Sequence, residues 1–332
     1  MKTISKKYLA LFMLVALVLF NACKKEDDSP NTNNNSNNNN GSNNANIVLD
    51  FFKDNLNDAK QITSVDITNG NYLYGNYGTY IYISGCSFLD SDGNQVTGII
   101  DFELIEAQTN LDMLKLNRPT FTSDGQLLVS GGILYVNASQ NGDVLNINPN
   151  CGLEVSMPNY SYNSQDGFMQ YFSGDVDIDG VFGWDLEEDD TVVTGQGGQD
   201  TAGFYFQIDS VGWINCDYFY NTQSELTGVE VELPNGYDGS NSQCFIYYNS
   251  INSLAGLGDG DQNGIFTLGA SYSTPVGMDV KFIAISGDTI SNDYYYHITG
   301  NTTVTLNHFE TVLIMDGPIT HSDLEIILNT NL

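Results

Sequence analysis

Positive charge is what this chain has least of: 10 Lys and Arg stand against 41 Asp and Glu among 332 residues. From Ile47 onward only Lys53, Lys60, Lys115, Arg118 and Lys281 remain against 38 acids, a net of about −33. Such a field repels phosphate backbones, so nucleic acid is excluded as a partner, and so is docking on anionic lipid through protein charge. Phosphoryl transfer loses its usual Lys and Arg clamps. Catalytic signatures are missing as well: there is no Gly-x-Ser-x-Gly, no His-Glu-x-x-His and no Walker pattern. His297, His308 and His321 are the only histidines, none has a second His at ligand spacing, and each reads as a surface or strand residue. No Cys-x-x-Cys occurs, which removes a redox motif and a zinc knuckle. Gly256-Leu257-Gly258-Asp259-Gly260 has no strand-to-helix context and no base nearby, and reads as a turn. The expectation is a protein that is not an enzyme.

What is there begins with Lys2, Lys6 and Lys7, followed by the apolar run Leu9–Phe20 and then Asn21-Ala22-Cys23. The run is too short to span a bilayer comfortably. This arrangement resembles a bacterial lipoprotein signal over residues 1–22, which implies cleavage before Cys23 and attachment to a lipid bilayer through the lipidated Cys23 thiol. Lys24-Lys25-Glu26-Asp27-Asp28 resembles the export signal of Bacteroidetes surface lipoproteins. In Asn31–Asn46, 11 of 16 residues are Asn, and such a stretch has nothing to bury against its ordering entropy. Residues 23–46 therefore read as a lipidated Cys and a flexible tether with a mean reach of roughly 25 Å.

The remainder reads as all-β, two β-sandwich domains in tandem with a short N-terminal helix and a short C-terminal helix. Ile47, Phe51, Leu56 and Ala59 fall near one helical face and predict a helix over 47–60. Alternation at Tyr80–Ile83 and Gly98–Glu106, with turns at Asp92-Gly93-Asn94, Asp124-Gly125 and Asn141-Gly142, predicts a first sandwich over 61–158. Residues 159–200 are acidic and Gly-rich and read as a connector. A second sandwich is predicted over 201–332, from alternation at Phe204, Phe206 and Ile208, at Val229, Val231 and Leu233, and at Val280–Ile285. Ser322-Asp323-Leu324-Glu325 has capping-box spacing and predicts a final helix sealing that sandwich.

The strings Gly78-Thr79-Tyr80-Ile81-Tyr82-Ile83, Phe88 to Gly98 with its Asp92-Gly93-Asn94-Gln95-Val96-Thr97-Gly98, Ser130-Gly131-Gly132 and Gly212-Trp213-Ile214-Asn215-Cys216-Asp217 together resemble a family of Bacteroidetes cell-surface lipoproteins. The first unit is also distantly similar to ZU5-like and carboxypeptidase-regulatory-like β-sandwiches. The resemblance implies β-domains held at the outer membrane and facing the cell exterior. It implies no particular chemistry.

Four features invite a functional reading. Asp175-Val176-Asp177-Ile178-Asp179-Gly180 matches the first half of a calcium loop, with Leu186 at the twelfth position between Asp185 and Glu187; calcium is thus a possible ligand of Asp175, Asp177, Asp179, Asp185 and Glu187. The competing reading is an extended segment with Val176 and Ile178 inward and the three Asp outward. A second Asp-rich turn, Asp259 to Gly264, has no acid after it. Cys86, Cys151, Cys216 and Cys244 permit disulfides in an exported chain, Cys86–Cys151 and Cys216–Cys244 if pairing stays within domains, and all three connectivities remain open; Cys216 also fits a plain buried hydrophobe. Tyr218-Phe219-Tyr220 and Tyr294-Tyr295-Tyr296 place rings on both strand faces, available for sugar stacking or simply reflecting β propensity. Asp190-Thr191-Val192, Asp200-Thr201-Ala202, Asp209-Ser210-Val211 and Asp288-Thr289-Ile290 fit a short O-glycosylation pattern.

The sequence thus predicts a surface-anchored binding or structural module for extracellular glycan, protein or matrix. Two alternatives accompany it: a polysaccharide-acting enzyme using a carboxylate pair, and a passive spacer. A deep cleft with two facing acids distinguishes the enzyme, and an exposed aromatic patch distinguishes the binder.

Overall fold

The computed structural model describes residues 47–159, 169–176, 182–188, 192–197, 201–258, 260–268 and 274–332. Residues 1–46, which hold the expected leader, Cys23 and the Asn-rich segment, lie outside them. Strand dominates, in two sandwiches, with three short helices: α1 (Ile47–Asp58), α2 (Asn110–Lys115) and α3 (His321–Asn331).

The first sandwich opposes two antiparallel sheets. One runs in the order Gln61–Asp66, Ile99–Ala107, Leu128–Gln140, Gly212–Phe219, Gln170–Val176, Phe182–Leu186. The other runs Val193–Gly197, Thr201–Ile208, Leu153–Pro158, Tyr80–Ile83, Asn71–Tyr74. Ile81, Phe102, Leu134, Val155, Phe204 and Ile214 meet between them. The second sandwich places Leu254–Gly256, Ser242–Tyr248, Asp279–Asp288, Asp293–Ile298 and Asp316–Ile319 opposite a small sheet of Ile265–Leu268, Val229–Glu232 and His308–Thr311, the last two parallel. Val231, Ile246, Phe266 and Phe282 fill its core.

A third core joins the two. Ile133, Tyr135, Phe172, Trp184 and Trp213, from the outer face of the large sheet, pack with Phe245, Ile283 and Ile285 of the second sandwich and with side chains of all three helices. At its Gln61–Asp66 edge the large sheet stays open, with Ile62, Thr63 and Ser64 exposed, but along Ile133–Val136 both of its faces are dry. That explains why Ile133, Leu134, Tyr135 and Val136 are buried in succession instead of alternating with polar residues.

The pairing departs from the expected boundaries in two places. The 159–200 segment supplies Gln170–Val176, Phe182–Leu186 and Val193–Gly197, with Phe172 and Trp184 fully buried, so it is sheet and not a connector. Thr201–Ile208 and Gly212–Phe219, expected to open the second domain, pair with Leu153–Pro158 and Leu128–Gln140 of the first. Alternation gives a strand its two faces and leaves its neighbours open, so the chain runs past residue 201 before it changes sandwich.

The helices also differ in detail. In α1 the buried face is Ile47, Val48, Phe51, Phe52 and Asn55, with Phe51 edge-on to Tyr294 and Phe52 edge-on to Phe245. The capping box of α3 is Thr320 with Asp323, two residues before the expected Ser322 with Glu325, since Thr320-x-x-Asp323 offers the same reciprocal bonds one half-turn earlier. Leu324 and Leu328 of α3 enter the joint core between the sandwiches, where the expectation had a seal on the second one alone.

Candidate functional site

The calcium candidate does not assemble among the described residues. Asp177 and Asp179 lie outside them. Asp175 turns its Oδ1 to the N–H of Val176 at 2.8 Å, Asp185 accepts from Ser123 Oγ at 2.6 Å, and Glu187 accepts from Ser173 Oγ at 2.5 Å. Among the described residues no group of three or more His, Cys, Asp or Glu is placed to hold a metal ion. Asp261 of the second turn accepts from the N–H groups of Asn263 and Ile265 and so closes its own loop; Asp259 lies outside the described residues.

Three acids, Asp58, Glu106 and Asp112, line one cleft of about 260 Å³ at the junction of α1, α2 and the Gly75–Thr79 turn, and the last two are bound into its walls. Glu106 accepts from Gln61 Nε2 (2.9 Å) and from the N–H groups of Tyr77 (3.0 Å) and Thr79 (3.2 Å). Asp112 accepts from the N–H groups of Gln108 and Thr109 and from the Thr109 hydroxyl, which completes the α2 capping box. Both carboxylates hold the walls of the cleft. Their field, that of Asp112 foremost, together with burial keeps the Tyr77 hydroxyl above its usual range. A carboxylate fixed by several short-range donors is a poor nucleophile or general acid, so this pair does not carry the hydrolase reading.

Two of the strings behind the family resemblance, Ser130-Gly131-Gly132 and Asn215-Cys216-Asp217, meet in one structural device. Asp217 lies opposite Ser130 in the ladder, at an irregularity of the Gly212–Phe219 strand. Ser130 Oγ donates to Asn215 Oδ1 (2.8 Å), Asn215 Nδ2 donates to Asp217 Oδ2 (2.6 Å), and the Gly132 N–H donates to Ser130 Oγ (3.0 Å). Asn252, from the second sandwich, donates to the carbonyls of Gln108 and Ser130, and Ser253 Oγ donates to the Leu128 carbonyl. Burial raises the Asp217 carboxyl well above its ordinary value, against the opposing pull of its bonds to Ser130, Asn215 and Gly131. It is a fully buried acid that ties strands together. Gly131 belongs to the same device, because a Cβ there would come within 2.6 Å of the Phe204 ring.

The cysteines split. Cys86 and Cys151 form a disulfide with Cα atoms 5.9 Å apart. Cys216 and Cys244 form no disulfide with each other; both are buried, one in each sandwich core. Alternation had already made Cys216 readable as a buried hydrophobe.

Most of the aromatics flagged in the sequence are structural. Phe219 meets Phe172 edge-on at 5.5 Å, Tyr294 is buried and its hydroxyl donates to the Ile47 carbonyl, and Tyr295 packs on Tyr237. The exposed array lies elsewhere. In the hairpin Asn71–Ile83, Tyr72 stands opposite Tyr82 and Tyr74 opposite Tyr80, so all four rings share one face while Leu73, Ile81 and Ile83 enter the core. Ring centroids are 5.2 Å apart for Tyr72 and Tyr80, 4.8 Å for Tyr72 and Tyr82, and 5.2 Å for Tyr74 and Tyr80. Tyr72 and Tyr74 are 51% and 74% exposed. The Asn71–Tyr74 strand is the edge of its sheet, and inward from the array come Glu154, Ser156, Tyr205 and Gln207 in register. Burial, then the Tyr72 hydrogen bond and charge, keep the Tyr80 hydroxyl protonated. The sequence signal existed: Tyr72-x-Tyr74 and Tyr80-x-Tyr82 flank a turn at Gly75 to Gly78. Only the register decides that the two pairs face the same way.

No family model matches this chain, and no curated protein matches it. Among solved structures, a γ-CGTase from Alkalophilic bacillus clarkii aligns at 10% identity and a TM-score of 0.19, over 75% of this chain and 40% of that one. The chain spans less than half the length of that enzyme, and a likeness of this size carries no argument.

Proposed function

We propose that this chain is a lipid-anchored, non-catalytic binding module of the outer-membrane surface, attached through Cys23, that holds a neutral extracellular glycan chain on the tyrosine array. The observation that carries the reading is the set of four rings, Tyr72, Tyr74, Tyr80 and Tyr82, on one solvent-facing sheet surface. Rings of this kind offer flat faces to the C–H side of a sugar and hydroxyls to its rim. The occupant is uncharged or cationic rather than anionic, because 38 acids against five bases oppose any polyanion. A flat surface without a deep catalytic cleft suits holding a chain and not cutting it.

The test is isothermal titration of the protein with neutral glucan, mannan and chitin oligosaccharides, alongside Tyr72→Ala/Tyr74→Ala. Both side chains are exposed, so the double variant keeps the wild-type melting temperature. Its affinity is expected to fall at least about tenfold, the equivalent of about 1.4 kcal/mol. Failure of the wild type to bind every member of the set leaves the spacer reading in its place.

A further inference from the structure

A concavity lies where the two sandwiches meet, and it belongs to neither the tyrosine array nor the acidic cleft. It has a volume of about 300 Å³ and draws its wall from both units: Gln126, Phe219 and Tyr220 from the first, Asn221 and Thr222 from the crossing, Leu226 and Pro275 from the second. Leu226 and Pro275 are themselves paired in a two-residue ladder, and the Tyr220 N–H donates to the Leu127 carbonyl, so both rims are fixed by backbone bonds.

We infer that this cavity is a second binding site, for a single neutral sugar residue. Three features carry the inference. The size lies at the lower end of small-molecule sites, which suits one ring and not a chain. Phe219 and Tyr220, both half-buried, supply aromatic surface, while the Gln126 and Asn221 amides and the Thr222 hydroxyl supply donors and acceptors. Gln126 Nε2 is occupied by Asp124, at 3.0 Å, which orients the amide; Thr222 Oγ accepts from the Ser224 N–H and keeps its own proton to donate. Third, among the described residues no charged side chain lines the cavity, although acids crowd the rest of the chain. An ion would enter without a partner, and a purely apolar ligand would leave the amides and the hydroxyl desolvated. A ring with an apolar face and a hydroxylated edge matches both halves of the wall.

The inference shares with the proposed function only the class of ligand, and the two are separable. Methyl glycosides of glucose, galactose, mannose and N-acetylglucosamine are titrated while the ring-proton resonances of Phe219 and Tyr220 are followed by NMR. At least one glycoside is expected to shift both sets of resonances saturably. Gln126→Ala/Asn221→Ala, at two exposed positions, is expected to weaken that binding at least about tenfold. Tyr72→Ala/Tyr74→Ala is expected to leave it unchanged even where it abolishes binding of long chains. Three results overturn the inference: no shift with any glycoside, an equal shift in the Gln126→Ala/Asn221→Ala variant, or a shift lost in the Tyr72→Ala/Tyr74→Ala variant, which assigns the effect to the array. Saturable shifts from indole with none from the sugars overturn the assignment of ligand class.

Discussion

The guanidinium of Arg118 lies 4.4 Å from the centre of the Trp213 ring and 4.5 Å from that of Phe182. It is also anchored to the carbonyl of Asn117 at 3.0 Å, while the neighbouring Pro119 carbonyl accepts from Trp184 Nε1 at 2.7 Å. The last base before a stretch of 162 residues without one is thus half-buried against the rings of the joint core. Its planar, weakly hydrated cation fits between rings where a lysine ammonium does not.

Arg118→Met is therefore expected to destabilise the fold by about 2 kcal/mol, and Arg118→Lys to recover only part of the loss. Urea denaturation followed by tryptophan fluorescence measures both, because Trp213 and Trp184 are the two indoles and both border the site. Equal stability of all three proteins would show that the ring contacts contribute nothing.

Asp217 gives a pH prediction whose sign is fixed by burial. Its folded carboxyl titrates above the unfolded value of about 3.9, so the folded state holds a proton that the unfolded state has released. The stability it contributes is complete below that value and is lost as pH rises toward the raised one. Asp217→Asn preserves the acceptor toward Asn215 and removes the ionisation. The variant is expected to lose less melting temperature than the wild type as pH rises from 4 upward. The comparison must be a difference between the two proteins, since Asp90 and Asp261, held low chiefly by the N–H groups of Asn94 and Ile265, act in the opposite sense as pH falls. Parallel curves would argue that Asp217 is ionised in the folded protein.

Thiol chemistry separates the four cysteines of residues 47–332. Burial raises the Cys244 thiol and shields Cys216, so neither is expected to react with iodoacetamide in the native protein. Unfolding without reductant should expose two thiols, and unfolding with reductant four. Cys86→Ala/Cys151→Ala is expected to cost about 2 to 5 kcal/mol, because the bridge closes a loop over a sequence separation of 65. Four reactive thiols without reductant would refute the pairing.

Much of the local structure could be read directly. Alternation at Tyr80–Ile83, Phe204–Ile208 and Val229–Leu233 marks strands because side chains on a pleated chain point to opposite faces in turn, and α1 and α3 followed from apolar spacing and capping chemistry. The candidate sites were less legible. The calcium string had the right residue types, but Asp185 and Glu187 turn to serines instead. The Asn215-Cys216-Asp217 string looked like a signature without a role, because its partners Ser130 and Asn252 are distant in sequence. Phe219 and Tyr220, legible as adjacent rings, border a cavity, whereas the shared face of Tyr72 and Tyr74 with Tyr80 and Tyr82 follows only from the hairpin register.

By itself the sequence determined the acid surplus and the field that excludes polyanions, the all-β class in two sandwiches, and the two terminal helices, since charge, period-two alternation and capping are properties of neighbouring residues. The tertiary structure decided which strands share a sheet, that the large sheet is covered on both faces along Ile133–Val136, that Cys86 and not Cys216 is bridged, and that four tyrosines form one surface. Those outcomes depend on register and on contacts between residues far apart along the chain, and alternation fixes the faces of a strand without fixing its neighbour.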